Sequence, residues 1–361
     1  MMVDPLRQSR WNADRSIKSI NSNKELILSK GDRIKVPNSN VQYEIIGLIG
    51  KGQFGCVYYV KNLLNNFKYA LKIINSSPGC LRSGISEVKI LNEITEKGNK
   101  EGLLHIVGYH GHFVYQNHIC IVLEKLSYSL LDVLKGRNYR GLPLHLIRVI
   151  LSDLTKALTV FDELDLMHLD IKPENVLMES DKSVHVKLAD IGSTEYVGET
   201  ECKYSITRYY RPPEIVLGCG MSKKADIWSL GSLIAELFLG HVLFNAENEN
   251  QLLTQIERIL HTKIPKELIE KSPNASKFFD ENGNLLPSGD INDSKNEIEN
   301  SFEDIINNVS LPCGYSEEKL EKEIKMRKPF IDLLRNMLEP NPEKRFTLND
   351  VINHPFLTDL V

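Results

Sequence analysis

The run His168-Leu169-Asp170-Ile171-Lys172-Pro173-Glu174-Asn175 sets an acid, a lysine and an amide close together, and a second acid follows in Asp190-Ile191-Gly192. A carboxylate can take a proton from a hydroxyl. An ammonium can neutralise an anion, and amide and carboxylate oxygens suit a hard cation such as Mg2+. Upstream, Gly50-Lys51-Gly52-Gln53-Phe54-Gly55-Cys56-Val57 fits G-x-G-x-x-G-x-V. Glycines so spaced let a hairpin backbone approach phosphates closely with its amides pointing inward. Lys72 lies in an apolar run, and Glu87 follows fifteen residues later. Each feature alone has an ordinary explanation: a turn carboxylate, a lysine whose stem snorkels to solvent, a glycine-rich hairpin. For His168 the ordinary explanation, a core imidazole, is preferred. The rival for the glycine pattern, a dinucleotide fingerprint, needs a helix after the loop, and strand-like residues follow instead.

The elements that must position these residues show as hydrophobic patterns. Residues 43–49, 56–60 and 69–74 predict strands, with Asn65-Asn66 as a turn. Ile85, Val88, Leu91 and Ile94 recur at helical spacing, which puts Glu87 and Leu91 on one face. Residues 119–123 predict a short buried strand. After Ser127 long helical patterns take over, over about 144–164 and 225–239. Strands first and helices later predict an α+β chain, with a small β-rich lobe over about 41–126 and a larger α-rich lobe over about 127–357. Residues 1–40 are polar and read as a loosely ordered extension. The polar stretch over about 271–318 reads as an insertion in the helical lobe.

Charge and cysteines narrow the setting. A formal net charge of -4 gives no reason to expect nucleic acid or a membrane surface as a direct partner. Six cysteines without a C-x-x-C pair predict a reduced, intracellular protein, cytoplasmic or nuclear, with no structural zinc. The N-terminus is polar and predicts no signal peptide. The longest apolar stretch, 230–244, is broken by Ser232, Glu236, Gly240 and His241, and predicts a buried helix and not a membrane span. A monomer is expected.

In this order and context, the motifs make residues 43–356 resemble a eukaryotic protein kinase domain. The resemblance implies the two-lobed kinase fold and ATP- and Mg2+-dependent phosphoryl transfer to Ser/Thr of protein substrates. Asp170 would orient the attacking hydroxyl and accept its proton, and Lys172 would neutralise the γ-phosphate. Asn175 and Asp190 would hold Mg2+. Lys72, held by Glu87, would grip the α- and β-phosphates. ATP would meet Ile49, Gly50, Lys51, Gly52, Gln53, Phe54, Gly55, Cys56, Val57, Ala70, Leu123 and Leu177, with the backbone of Glu124 and Leu126 bonding the adenine. Asp226, in Asp226-Ile227-Trp228-Ser229-Leu230-Gly231, would brace the catalytic loop. Arg345 would pair with Glu214 of Pro212-Pro213-Glu214.

The subfamily is also narrowed. Thr207-Arg208-Tyr209-Tyr210-Arg211-Pro212-Pro213-Glu214 resembles the T/S-R-x-Y-R-x-P-E signature of the CMGC kinases. Asn117-His118-Ile119-Cys120-Ile121-Val122-Leu123-Glu124-Lys125-Leu126-Ser127-Tyr128-Ser129-Leu130 and Asn138-Tyr139-Arg140-Gly141 are similar to runs of the DYRK family. The resemblance implies preference for proline after the target residue, with Arg211 turning a backbone carbonyl away. It also implies self-phosphorylation on Tyr204, the phosphate being held by Arg208 and Arg211 to complete the substrate site.

Several positions depart from the kinase or DYRK pattern, among them Ala189 and Pro212. Cys202 replaces the first of two activation-loop tyrosines, so only Tyr204 is kept. Leu123 stands where the family has Phe and predicts an opened back pocket. Ile191 replaces the Phe usual in kinases. Leu169 replaces the arginine common in kinases, as the H-C-D of the DYRK family does in kind though not in identity, and this removes the partner of a phosphothreonine. HIPK, PRP4 and CLK kinases are the alternatives within the group. A catalytically weak pseudokinase scaffold is the alternative outside enzymes, and the intact Lys72, Glu87, Asp170, Lys172, Asn175 and Asp190 speak against it.

Overall fold

Alternating burial along the strand-forming runs builds a six-stranded sheet. Its strands are β1 (Arg33–Lys35), β2 (Gln42–Lys51), β3 (Gly55–Asn62), β4 (Lys68–Ile74), β5 (Tyr109–Tyr115) and β6 (His118–Glu124), ordered β1-β2-β3-β4-β6-β5. The β1–β2, β2–β3 and β3–β4 ladders are antiparallel. Cys56, Tyr58 and Val60 of β3 face a core with Ile34, Ile45, Leu71 and Ile73. Period two then sends Val57 to the other face. Val57 stands directly opposite Lys72 on β4 and Gly50 on β2, so the three share a face. The hairpin tip is pinned: Gly52 N–H donates to Gly55 O at 2.9 Å, and Asn75 N–H to Phe54 O at 2.8 Å. A methyl group at Gly55 would run into the carbonyl of Ile73, so only glycine fits there.

The computed structural model describes residues 25–199, 206–287, 301–311 and 314–359. They form two compact units. One runs to Ile85 and takes in His110–Leu123; the other holds Ser86–Tyr109 and the chain from Glu124 onward. The chain therefore changes unit inside α1 (Pro78–Lys97), between Tyr109 and His110, and again after Leu123, the last close to the boundary near residue 126 that the sequence suggested. Residues from Ser86 join the second unit because the end of α1 and α2 (Lys100–Leu103) meet α4 (Leu144–Glu163). Gly98 and Gly102 lie so close to Val160 that neither has room for a side chain. Ile85, counted on the apolar face of this helix, is exposed, while Glu87, Val88, Ile90, Leu91 and Ile94 are buried.

The extension also differs from expectation. From Glu25 on it is part of the first unit: Leu26, Leu28 and Ile34 are buried in its core. The Glu25 carboxylate accepts the Cys56 thiol at 2.8 Å and pairs with Lys51 at 2.8 Å. Three apolar side chains in a polar stretch anchor it once β1 pairs with β2. Composition averages them away. Residues 1–24 lie outside the described residues.

The second unit is helical around α6 (Lys224–Leu239), buried from Ala225 to Phe238, as befits a helix apolar on every side. Packed with it are α4 and the helix Glu317–Met337, and α3 (Leu130–Gly136), the short α5 (Pro213–Val216) and α7 (Glu249–Leu260) belong to the same unit. Two-stranded ladders β7 (Leu166–Met167) with β10 (Glu195–Tyr196), and β8 (Val176–Met178) with β9 (Val186–Leu188), flank the loops of interest. The polar insertion is anchored in its described part: Phe279, Phe302 and Ile306 are buried, and Arg327 donates to the carbonyls of Asn307 and Val309 at 2.7 and 2.6 Å. Among the described residues no helix is long and apolar enough to cross a membrane.

Packing of the extension gives a direct expectation. Leu26→Ala, at a position only 1% exposed, lowers stability by about 2–5 kcal/mol, the cost of a core leucine truncation. Urea unfolding measures it, and an unchanged midpoint would detach the segment from the core.

Candidate active site

The loop between β7 and the turn Pro173–Asn175 is set from below by one buried acid. Asp226, near the start of α6, accepts His168 N–H at 2.7 Å on Oδ2 and Leu169 N–H at 2.9 Å on Oδ1. Burial pushes its carboxyl above the usual range, and the two amides pull the other way. Leu169 has φ +63°, an unfavourable left-handed conformation for a leucine. His168 completes the brace: Nε2 donates to Ala189 O at 3.1 Å, and Nδ1 accepts Asp170 N–H at 3.3 Å. Its ring lies edge-on to Phe161. The histidine is a strut, as the sequence suggested.

Held this way, Asp170 becomes the hub of a polar cluster. Its Oδ2 meets Lys172 Nζ and Asn175 Nδ2, both at 2.8 Å, and its Oδ1 accepts the Thr207 hydroxyl at 3.0 Å. Lys172 Nζ also donates to Thr207 Oγ1 at 3.2 Å. The carboxylate is buried, and donors surround both of its oxygens. Asn175 Nδ2 bonds Asp170 O as well, at 2.9 Å. With its nitrogen so committed, the amide turns its oxygen the other way.

Asp190 follows β9 with φ +58°, and Ala189 N–H donates to Asn175 O at 2.8 Å, which ties the two oxygen-bearing segments together. Among the described residues no three His, Cys, Asp or Glu cluster as a closed metal site. An oxygen-only pair, one amide and one carboxylate, fits Mg2+, which keeps waters and is bound with substrate phosphates.

At the start of the second unit Glu124 is fixed twice. Its amide donates to Gly108 O at 2.7 Å, and its carboxylate takes Gly108 N–H at 3.0 Å and Lys187 Nζ at 2.9 Å. Leu126 N–H has no hydrogen-bond partner among the described residues. It is a donor available to an adenine. Leu177 is half-buried on β8, bridged to Ser129.

In the first unit Ile49, Gln53 and Phe54 are exposed, Lys51 extends towards Glu25, and Gly50, Val57, Ala70 and Lys72 line one face of the sheet. Leu123 is half-buried on β6. Cys56 is the exception among the expected ATP contacts. Its side chain points to the opposite face, into the core, where burial and the Glu25 carboxylate push its thiol up to about 12. Only its backbone can join the hairpin.

A protein kinase domain description matches residues 43–357 of the chain. The chain belongs to the protein kinase family. It is 32% identical to the dual specificity protein kinase YAK1 of Saccharomyces cerevisiae over 94% of its own length and 44% of that protein. It is 31% identical to the serine/threonine-protein kinase ppk15 of Schizosaccharomyces pombe, over 94% and 66% respectively. It is also 31% identical to the serine/threonine-protein kinase prp4 of the same yeast, over 87% and 66%. The chain thus spans under two thirds of the length of these relatives. Their names agree with the DYRK-like and PRP4-like resemblance drawn from the motifs.

Other marks of the kinase domain meet as the motifs implied. Arg345 and Glu214 form a bidentate pair at 2.6 and 2.8 Å, and Arg345 is 1% exposed, so this is no surface pair. Arg211 Nε and Nη2 hold the Ile206 carbonyl at 3.0 and 2.8 Å. Lys72 stands on β4 in the first unit and Glu87 is buried on α1 in the second. Tyr204 and Cys202 lie outside the described residues. Motif reading missed three groups: Thr207 as a partner of Asp170, Glu249 as a partner of both arginines, and Glu236 under Tyr210. Thr207 had a signal, since it opens the signature octet. Glu249 and Glu236 had none, being charges on helices with no motif around them.

Glu236 gives a pH signature. It accepts the Tyr210 hydroxyl at 2.5 Å. Burial raises it to about 7, against the lowering effect of that hydrogen bond. A folded-state value above the unfolded one gives stability that is full below about pH 4.5 and is lost as pH rises through about 7. Glu236→Gln removes this dependence, so the variant gains on the parent between pH 5 and 8, by roughly 3 kcal/mol at most. Melting curves across that range test it; a constant offset would mean that Glu236 does not titrate there.

Proposed function

We propose that this chain is an active protein kinase that transfers the γ-phosphate of ATP, with Mg2+, to Ser/Thr residues of protein substrates, with proline following the target. The observation that carries the reading is the saturated Asp170 carboxylate beside Lys172 and Thr207. Phosphoryl transfer asks the protein for position and charge more than for covalent chemistry. Asp170, anchored through Asn175 and its own backbone, has the means to orient a hydroxyl and take its proton. Thr207 occupies Oδ1 here, and a substrate hydroxyl would take a place of the same kind. Lys172 brings positive charge to that point. Asn175 Oδ1 and Asp190 are the oxygens to hold Mg2+, which supplies neutralisation of phosphate charge when bound. By the kinase resemblance the glycine hairpin and Lys72 would grip the phosphates, Glu87 would partner Lys72, and Glu124 and Leu126 would contact the adenine. Self-phosphorylation on Tyr204 belongs to the same reading.

The pseudokinase alternative is separated by turnover. Asp170→Asn is expected to lower the rate on peptide substrates by about 10²–10⁴-fold, the usual worth of a positioned base, with ATP binding retained. A loss below about tenfold would remove Asp170 from that role. Asp190→Asn weakens Mg-ATP binding as well as turnover, because it removes a metal oxygen.

Support for proline comes from Arg211. With the Ile206 carbonyl committed to the guanidinium, a substrate N–H at the next position meets no acceptor, and proline has no N–H to leave unpaired. Ser-Pro peptides should exceed Ser-Ala peptides in kcat/KM by about tenfold, on the scale of one unmade hydrogen bond. Equal values for the two peptides would refute the preference.

A further inference from the structure

Arg208 and Arg211 stand on the turn Arg208–Tyr210 and just after it, and the first residue of α7 reaches both. Glu249 Oε1 lies 3.0 Å from Arg211 Nη1 and 3.6 Å from Arg208 Nε. Arg211 is buried, and its Nε and Nη2 hold the Ile206 carbonyl. Two guanidiniums side by side repel one another unless an anion sits between them. Here that anion is a carboxylate of the chain itself. Burial alone would raise the Glu249 carboxyl, but the helix-start amide and the two arginines outweigh it and hold it below the usual range. Its position is rigid. Asn248 caps α7 by accepting Gln251 N–H at 2.9 Å, Gln251 in turn accepts Glu247 N–H at 2.8 Å, and Leu252, Leu253 and Ile256 are buried.

We propose that Glu249 is a positioning residue of the substrate site, a resident carboxylate that holds Arg208 and Arg211 so that the Ile206 carbonyl is turned onto Arg211 before any phosphate reaches Tyr204. The inference rests on the proline-following reading above and adds its control. Glu249 brings one negative charge to the two guanidiniums. Arg208 Nε is buried and has no hydrogen-bond acceptor among the described residues. A phosphate on Tyr204, with about −1.5 to −2 charges, therefore finds arginines already in place and adds to an ordered site. It is not needed to bring them together. The arrangement also defines what Glu249 does for specificity. It does not touch the substrate; it fixes the guanidinium that removes an acceptor from the substrate's path.

The test uses the full chain, treated with a tyrosine phosphatase and shown by mass spectrometry to carry no phosphate on Tyr204. The parent is expected to keep its Ser-Pro over Ser-Ala ratio of about tenfold in kcat/KM, on the scale of one unmade hydrogen bond. Glu249→Gln, treated alike, falls to a ratio near one, and Glu249→Asp restores part of it. A parent that loses proline preference on dephosphorylation, or a Glu249→Gln form that keeps it, overturns the proposal. A second measurement does not depend on activity. In the Asp170→Asn background, treated with the same phosphatase, hydrogen exchange is followed at the amides of Tyr210 and Arg211, which bond the carbonyls of Thr207 and Arg208 at 2.9 and 3.1 Å. Their protection should drop on adding Glu249→Gln; unchanged protection refutes the positioning role. If the parent phosphorylates neither peptide, the kinase reading fails, and the exchange experiment still decides for or against Glu249.

Discussion

The second unit depends on one carboxylate holding two consecutive amides. Asp226 gathers His168 N–H and Leu169 N–H, and Leu169 at φ +63° then turns the chain so that Asp170 emerges among Asn175, Lys172 and Thr207. A leucine in that conformation costs free energy, on the order of 1–2 kcal/mol. Two hydrogen bonds in a buried setting offset it. The carboxylate in turn has a fixed address because α6 is enclosed along its length. The same end of α6 serves the other side of the site. Arg345 bonds the carbonyl of Lys224 at 2.9 Å and grips Glu214 with two nitrogens. One helix start therefore sets the loop that carries the proposed base and the segment leading to α5. This makes α6 the reference frame for the chemistry, although none of its side chains is expected to touch a substrate.

Much of this was legible in the amino-acid order, and the reasons are local. Asp170, Asn175 and Asp190 lie in loops where φ, turn chemistry and spacing are tied to sequence, so their constellation survives reading in one dimension. The same holds for Asp226 and Arg345, whose partners are specified by motif position. Strands β2 to β4 and the helices α4 and α6 followed from periodicity to within a residue or two. What escaped depends on pairing over long sequence distances. Leu26 and Leu28 look like stray apolar residues until Cys56, Tyr58 and β1 close over them. Cys56 sits inside the glycine motif, and only strand alternation reveals that its thiol faces away from Val57 and Lys72. Ile85 fits the helical period as well as Val88 does, yet it is exposed, because the buried face is chosen by what packs on it.

Three acids buried in the second unit show how differently a carboxylate can be accommodated. Asp226 receives two backbone amides, and Glu214 a bidentate guanidinium. Glu236, among the described residues, receives only the hydroxyl of Tyr210. Burying a charge is tolerable in proportion to the donors that replace water. Glu236, with one neutral donor in a buried setting, is pushed up to about 7. Its proton sits beneath Tyr210, whose carbonyl is held by the Ser229 hydroxyl at 2.8 Å and whose neighbour Arg211 clamps Ile206. The segment that would receive the peptide is thus fastened from below by a weak, neutral-prone contact and from the side by Glu249, a fully charged one. Of the two, the charged contact bears on the orientation of the Ile206 carbonyl, because it acts on the guanidinium that holds that oxygen. The Tyr210–Glu236 contact bears on how tightly the segment packs on α6, and its strength varies with pH near neutrality. Orientation and packing of the same short segment are in this way controlled by two acids with separate chemistry.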